Sequence, residues 1–170
     1  MLFAHDTAVA LETAAALVNT DQSDGDALAD LAGLDRFVKD WGVTFSRRRD
    51  RAELEQVQAL RSRLRRLWEL DEDDLVAEVN SILENARALP QLVRHDGWDY
   101  HLHAKLPDAT LADHMLVEAA MAIVDVVRQN ELDRLRTCDA DDCDDLLIDL
   151  SKNRSRRYCT ATCSSRVRVR

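Results

Sequence analysis

The sequence predicts a mainly α-helical domain followed by a small cysteine-rich module. Leu and Ala dominate the apolar residues, and the 170 residues include only four Gly and two Pro, a composition that favours helices joined by short connections. Apolar residues recur at helical spacings along most of the chain. All four cysteines lie in the last 33 residues, in two pairs. We therefore expect a helical domain over residues 1–134, with one small β-hairpin, and a second module over residues 135–170.

Four segments before residue 90 show the apolar stripe of an amphipathic helix. They are residues 3–19, 27–41, 50–70 and 71–89. The polar segment 20–26 is a loop by composition, and its Asp residues suit the N-terminal cap of the second helix. Gly42 is expected to end the second helix, and Pro90 is expected to end the fourth. The fourth helix begins with the acidic residues 71–74, which match the positive end of its dipole.

The third predicted helix carries arginines on the face opposite its apolar stripe and at its start. The face holds Arg61, Arg63, Arg65 and Arg66, and the start holds Arg47, Arg48, Arg49 and Arg51. Such a surface is either a phosphate-binding patch or a solvated helix face paired with nearby acids such as Glu53 and Glu55. Because charged helix faces are usually solvated, we favour the second interpretation.

Residues 91–106 are predicted to form a β-hairpin. Apolar side chains alternate with polar ones around an Asp-Gly pair, Asp96-Gly97, which is typical of a hairpin turn. His101 and His103 lie two residues apart, so on a strand both face the same side. Two imidazoles are candidates for metal ligands or acid–base groups. Since the spacing identifies no third ligand, we expect ordinary, half-exposed strand histidines.

Residues 109–130 form the most apolar predicted helix, with apolar residues on two faces. One face carries Leu111, Met115, Ala119, Ala122 and Val126, and the other carries Leu116, Ala120, Ile123 and Val127. A helix of this kind is central and is contacted on both sides. The chain then reaches Cys138 without a Gly, Pro or Ser-rich linker, so we expect the C-terminal module to dock on the helical domain.

The four cysteines are spaced as metal ligands. Four residues separate Cys138 from Cys143, and three separate Cys159 from Cys163. Zinc takes four thiolates at about 2.3 Å and tetrahedral angles, so we predict one structural Zn²⁺ ion in a closed, non-catalytic site. A disulfide is the alternative. The lack of a signal peptide or an apolar membrane span favours the cytoplasm, where paired cysteines more often bind metal.

The segments between and after the cysteine pairs complete a small module. Residues 146–150 and 154–158 are expected to pair as a short hairpin, with Lys152-Asn153 near its turn. Cys159 and Cys163 have the spacing of one helical turn, so both project toward the same point. A knuckle, a hairpin and a helix together describe a treble-clef-like zinc finger with four cysteine ligands.

The net charge of −9 hides a strong asymmetry. Residues 151–170 hold seven basic residues and no acid, whereas the remainder holds 16 basic and 32 acidic residues, so the tail is +7 and the body −16. A compact basic end can bind phosphate because distant acids are screened. The candidates for nucleic-acid contacts are Lys152, Arg154, Arg156, Arg157, Arg166, Arg168 and Arg170. Alternatively, the tail neutralises the acids just before it, which are Asp139, Asp141, Asp142, Asp144, Asp145 and Asp149.

These residues carry a family resemblance. The run from Leu135 through Asp149-Leu-Ser-Lys-Asn-Arg-Ser-Arg-Arg-Tyr158 to Cys163 and Arg166 resembles the CGNR-type zinc finger. That finger closes bacterial proteins that begin with a stress-induced transcriptional regulator domain. Upstream, residues 17–20 (Leu-Val-Asn-Thr) and residues 96–98 (Asp-Gly-Trp) are similar to segments of that domain. The chain departs from the family at residues 164–165, where Ser-Ser replaces Gly-Asn, and at Tyr158, where the family has Trp.

Three functions follow from these observations. The resemblance implies a transcriptional regulator that binds DNA through the basic finger, while the helical domain senses a small-molecule effector or forms an oligomer. The alternative is a zinc-stapled protein-interaction or dimerisation module without nucleic-acid binding. An enzyme with His101, His103, Asp96 or Glu118 in a pocket is the third, but no spacing indicates a reaction class, so we expect no enzymatic activity.

Overall fold

Six helices and three two-stranded hairpins make up the described part of the chain. A computed structural model describes residues 2–22, 25–94, 97, 99–106 and 108–168, without the side chains of Lys105 and Arg168. The helices are α1 (His5–Val18), α2 (Leu31–Asp40), α3 (Arg51–Glu69), α4 (Glu72–Asn85), α5 (Leu111–Arg128) and α6 (Ala161–Arg168). The antiparallel strand pairs are β1 (Asp21–Gln22) with β2 (Gly25–Asp26), β3 (Leu89–Val93) with β4 (His101–Lys105), and β5 (Leu135–Thr137) with β6 (Leu146–Ile148). The predicted mainly helical fold with a C-terminal cysteine finger is confirmed.

Four of the first five helices, α2 to α5, begin at a residue whose side-chain oxygen accepts a backbone N–H of the first turn. The capping residues are Asp30, Asp50, Asp71 and Thr110. Each such cap contributes about 1 kcal/mol. The predicted cap within residues 20–26 is wrong, because the carboxylate of Asp26 accepts from the Leu28 N–H and from the Arg61 guanidinium. The second helix therefore begins at Leu31, four residues later than predicted.

The fourth helix ends before the proline that was predicted to stop it. Arg87 has a φ of 49°, in the left-handed region, and its N–H donates to the Glu84 carbonyl. This conformation ends the helix at Asn85, since the backbone can no longer continue the ladder. Pro90 lies in β3 instead.

Helix α5 is the centre of the core, as its two apolar faces predict. It packs against α1, α3 and α4. Ala119, Ala120 and Ile123 are fully buried on it. The small alanines let neighbouring helices approach closely, and burial of the apolar side chains of α5 stabilises the core.

The predicted β-hairpin of residues 91–106 is confirmed as the pair β3–β4, and its first strand begins at Leu89, two residues earlier than predicted. Val93 pairs with His101, so the connection spans residues 94–100. Asp96 and Trp98 lie outside the described residues. Strand β4 packs on α5, which brings its histidines against the helical core.

Strand β6 belongs to two cores at once. Leu146 and Ile148 pack into the core of the helical domain, whereas Leu147 packs against Cys138, Ala140 and Cys163. Successive side chains of a strand point to opposite faces, and the uninterrupted apolar run 146–148 suits a strand covered on both. The finger is therefore docked on the helical domain, as predicted from the lack of a Gly, Pro or Ser-rich linker before Cys138.

Candidate metal centre and basic surface

The first cysteine pair lies at the tip of the β5–β6 hairpin. The Cys138 N–H donates to the Asp145 carbonyl at 2.8 Å, and the Cys143 N–H donates to the Ala140 carbonyl at 3.0 Å. These bonds bend residues 138–145 into a knuckle that turns both sulfurs inward. The predicted hairpin between residues 146–150 and 154–158 is wrong, because β6 pairs with β5.

The second cysteine pair lies at the start of α6. Cys159 precedes the helix and Cys163 lies within it. The Thr160 hydroxyl accepts the Cys163 N–H at 3.2 Å, and the Thr160 carbonyl accepts the Ser164 N–H, which is the pattern of an N-terminal cap. The cap fixes Cys163 in the first turn, facing Cys138.

The four sulfur atoms form one cluster whose dimensions suit zinc. Sγ of Cys159 lies 3.6 Å from that of Cys143 and 3.5 Å from that of Cys163, and all four ligand atoms lie within 4.8 Å of one another. Four thiolates at about 2.3 Å from one ion and at tetrahedral angles would stand about 3.8 Å apart. All four cysteines are free thiols. The donor set and its spacing thus fit one tetrahedral Zn²⁺.

The cysteines differ in how readily they lose a proton. Burial raises the pKa of Cys143 to about 11. Burial also acts to raise the pKa of Cys163, but hydrogen bonds from Thr160 and Arg166 outweigh it and lower that pKa to about 7. The Arg166 guanidinium lies 3.0 Å from the Cys163 sulfur. An ion must displace the remaining protons, and Arg166 offsets part of the negative charge that four thiolates leave.

Asp149 organises the loop that carries the basic residues. Its side chain is fully buried. One carboxylate oxygen accepts from the N–H and hydroxyl of Ser151, and the other accepts from the Arg156 N–H at 2.9 Å. Burial opposes its ionisation, but these donors and the nearby Arg136 guanidinium lower the pKa of Asp149 below its ordinary value. Residues 151–156 therefore wrap round one carboxylate instead of forming a strand.

Arg134 holds the backbone of the same loop through hydrogen bonds. It is 3 % exposed, and its guanidinium donates to the backbone carbonyls of Asp149 and Ser151 at 2.7 and 2.8 Å. Glu131 forms an ion pair with it. The buried Arg134 guanidinium thus satisfies two backbone carbonyls at the start of the loop, and Glu131 balances its charge.

Three of the seven predicted nucleic-acid contacts form ion pairs with acids of the chain. Arg154 pairs with Glu131 and Asp133, Arg157 with Asp139, and Arg166 with Asp142. The side chains of these arginines are 43–65 % exposed. The alternative in which the tail neutralises preceding acids is therefore realised at Asp139 and Asp142.

Two of the remaining candidates, Lys152 and Arg156, are exposed and form no ion pair within the described ranges. The Arg156 guanidinium donates to the Cys159 carbonyl at 3.0 Å. Arg168 lies in α6 with its side chain outside the described part, and Arg170 lies outside it altogether. The finger thus presents a small basic edge next to the metal cluster.

The arginines of α3 have several partners, in line with the favoured interpretation of a paired helix face. Arg61 is buried against Asp26, and Arg65 donates to the Asp144 carbonyl at 2.9 Å. Arg47, just before the helix, pairs with Glu53. The Arg61–Asp26 pair links the first hairpin, β1–β2, to α3. Arg61 is buried, so the expectation of a solvated helix face is wrong at this position.

The predicted strand histidines face the same side, but their expected half-exposure is wrong for His101, which is 7 % exposed. The ring centroids of His101 and His103 lie 4.9 Å apart, and Nδ1 of His103 donates to Oε1 of Glu118 at 2.9 Å. That carboxylate raises the pKa of His103, and Asp6 acts in the same direction. Among the described residues these side chains do not form a metal-ligand cluster like that of the cysteines.

Several residues that position the finger were not recognised as doing so from sequence alone. The Asn19 amide both donates to the Leu146 carbonyl and accepts its N–H, each at 2.8 Å. The Trp68 indole N–H donates to the Leu147 carbonyl at 3.1 Å. The signal for Asn19 was the Asn-Thr resemblance, and Asp149-x-Ser151 has the spacing of a local side-chain turn. No sequence signal marks Trp68.

Comparisons with known families agree with this architecture. The sequence model of the ABATE family, described as "Putative stress-induced transcription regulator", matches residues 11–130. The model of the CGNR zinc finger matches residues 134–170. Comparison with curated proteins gives no match. None of the helices in the described ranges combines the length and hydrophobicity that a membrane span requires.

Proposed function

The chain belongs to the ABATE family and ends in a CGNR zinc finger. We propose that it regulates transcription by binding DNA through that finger. The observation that carries the proposal is the exposed basic edge of Lys152 and Arg156, held beside a four-cysteine zinc site. The ion acts as a structural staple, and the contacts to DNA belong to the basic side chains.

The zinc ion fixes the two segments that would meet DNA. Cys159 and Cys163 bind it from the start of α6, and Cys138 and Cys143 bind it from the knuckle. The basic loop, residues 151–157, lies between these anchors and is tied down by Asp149. A preorganised loop loses little conformational entropy on binding phosphate, which favours affinity.

The ion-paired arginines remain usable for phosphate contacts. Ion pairs between exposed side chains contribute about 0–1 kcal/mol, and a guanidinium binds phosphate in a bidentate manner. Exchange of Asp139 or Asp142 for a phosphate oxygen is therefore nearly neutral in free energy for Arg157 and Arg166. The helical domain, residues 1–134, holds 15 basic and 26 acidic residues, a net charge of −11, whereas the finger, residues 135–170, holds eight basic and six acidic residues, a net charge of +2. This asymmetry favours an approach to DNA through the finger.

Helix α6 is the candidate for base contacts. It is short, and Thr162 and Ser165 are exposed on it, as is Arg166, whose guanidinium also contacts Asp142 and the Cys163 sulfur. A helix of this width enters the major groove, where Arg recognises guanine and hydroxyls accept or donate to either base. Ser165 stands where the family has Asn, so we expect the base preference at this position to differ from that of relatives with Gly-Asn.

A salt titration of DNA binding tests the proposal. Fluorescence anisotropy with a labelled duplex is expected to show binding that weakens steeply with salt. The K152A/R156A variant removes two cations that form no ion pair, so affinity should fall about tenfold and the salt slope by about 1.8. The R63A/R66A variant removes the same charge from exposed positions on α3 and should bind like the wild type.

Two results count against DNA binding. The first is the absence of a shift on any duplex at low salt, and the second is an equal loss in both double variants. The protein-interaction alternative predicts zinc-dependent self-association or partner binding with no affinity for nucleic acid. Its support is the pairing of Arg154, Arg157 and Arg166 with acids of the chain. Light scattering with and without a chelator distinguishes the two functions.

A further inference from the structure

A cavity of about 320 Å³ opens in the helical domain, away from the finger. Five segments line it: α1, α3, α5, strand β4 and the connection between α2 and α3. Small-molecule sites are typically concave and largely apolar, with a few convergent polar groups, and they start at about 300 Å³. The cavity is therefore large enough for a small molecule, and the side chains that line it indicate which class of molecule fits.

Most of the wall is apolar and aromatic. Val9 and Ala14 contribute from α1, Met115 from α5, and Trp41 and Phe45 from the connection after α2. The Phe45 ring is held in place by His114, which stacks on it at 4.4 Å. Burial lowers the pKa of His114, so this imidazole supports the ring as a neutral group. Such a wall suits an aromatic or aliphatic body of modest size.

The polar part of the wall is acidic. Asp6 and Glu118 both line the cavity, and their charges both act on His103, which places the two carboxylates near the same imidazole. Glu118 is 16 % exposed and accepts from His103, while Asp6 accepts the Leu102 N–H at 3.1 Å. Among the described lining residues there is no Lys or Arg. His103, whose pKa the Glu118 carboxylate raises, is the one described lining group that gains positive charge, and it is already bonded to Glu118. An anionic ligand would therefore meet two carboxylates and no unshared cation among these residues.

We propose that this cavity binds a small organic amine, with its apolar body between Trp41, Phe45 and Met115 and its ammonium group against Asp6 and Glu118. An ammonium group offers three donors, which two carboxylates and the Thr13 hydroxyl of the same wall are able to accept. Charge-assisted bonds in a partly desolvated site are stronger than neutral ones. Within the proposed regulatory function, the amine would be the effector that the helical domain senses. The inference therefore rests on that proposed function.

The position of the cavity suits such a role. Helix α1 lines it with Asp6 to Ala14, and at its C-terminal end Asn19 holds β6 of the finger. Helix α3 lines it with Leu64, and the next turn carries Trp68, which also bonds to β6. Of the three helices that line the cavity, α1 and α3 thus also hold the finger.

Calorimetric titration of the full-length, zinc-loaded protein tests the proposal without DNA. The probes are 2-phenylethylamine, the neutral 2-phenylethanol and the anionic 3-phenylpropionate, which share one aromatic body. We expect the amine to bind at least tenfold more tightly than the alcohol and the anion to bind most weakly. Equal affinities for amine and alcohol, a preference for the anion, or no binding by any probe would overturn the proposal.

Variants locate the site. Asp6→Asn and Glu118→Gln each keep an oxygen that accepts the protein's own hydrogen bond but remove the charge. Each should weaken amine binding about tenfold and leave alcohol binding unchanged. Glu84→Gln, at an exposed position of α4, removes the same charge away from the cavity and should have no effect.

Equal losses in all three variants would refute the location. A protein that binds the amine but no duplex would retain this site and refute DNA binding. A protein that binds duplex but not the amine would refute the amine site and leave the proposed DNA binding intact.

Discussion

Replacement of Asn19 by Ala should uncouple the finger from the helical domain. The Asn19 amide makes two hydrogen bonds to the backbone of Leu146, each at 2.8 Å, across 127 residues of sequence. No other side chain of the described chain satisfies both backbone groups of that residue. Ala removes the amide and leaves an N–H and a carbonyl of a buried strand without these partners.

The magnitude follows from the two bonds. Each contributes about 0.5–1.5 kcal/mol, and a backbone group left unsatisfied adds to the loss, so we expect the free energy of unfolding to fall by about 2–4 kcal/mol. For a chain of this length that corresponds to a fall in Tm of about 5–15 °C. The fall should be largest in the transition that reports the finger.

Urea unfolding followed by circular dichroism, at a fixed zinc concentration, measures the effect. Asn85→Ala is the matched control, because Asn85 is exposed and its side chain donates to the Ser81 hydroxyl one turn earlier, within the same helix. Its unfolding midpoint should stay near that of the wild type. Equal midpoints for the two variants would refute the idea that Asn19 clasps the finger to the helical domain.

Three further predictions concern the charges and the metal. Asp149→Ala should destabilise the finger by about 3–5 kcal/mol, as the loss of a buried charge partner does, whereas Asp149→Asn should cost less because one oxygen still accepts; thermal denaturation compares them. Arg61, by its hydrogen bond, lowers the pKa of Asp26, so this pair stabilises the fold above about pH 4, the ordinary Asp range, and the stabilisation is lost as the pH falls further. Acid titration of Asp26→Asn should therefore show a shallower loss of stability than the wild type; equal slopes would contradict the assignment. A chelator should release one zinc per chain, measured by elemental analysis, and abolish the finger's structure while the helices of the core persist in circular dichroism.

The sequence predicted the parts of the fold that local patterns determine. The apolar stripes of α3 and α5 determined which faces are buried, and the cysteine spacing identified the cluster, because one short segment decides each of these features. The strand partner of β6 was missed, since β5 is three residues long and has no alternating pattern. Residues 154–158 looked like its partner, but Asp149 binds the backbone of Arg156 and prevents a strand.

The site was predictable in its chemistry and less so in its surroundings. The zinc ligands follow from residue type and spacing alone. The pairing of Arg157 with Asp139 and of Arg166 with Asp142 depends on how the knuckle, the loop and α6 meet in space, which no spacing encodes. The cavity next to His103 likewise depends on five separate segments.

Selection from a random duplex library by the zinc-loaded protein tests the central claim, that a zinc-held basic finger binds DNA. We expect duplexes to be retained at low salt, retention to be lost after chelation, and retention to return when Zn²⁺ is added back. Sequencing of the retained pool would also give the preferred site. If the zinc-loaded, folded protein retains no duplex at low salt, the finger does not bind DNA and the proposed function is wrong.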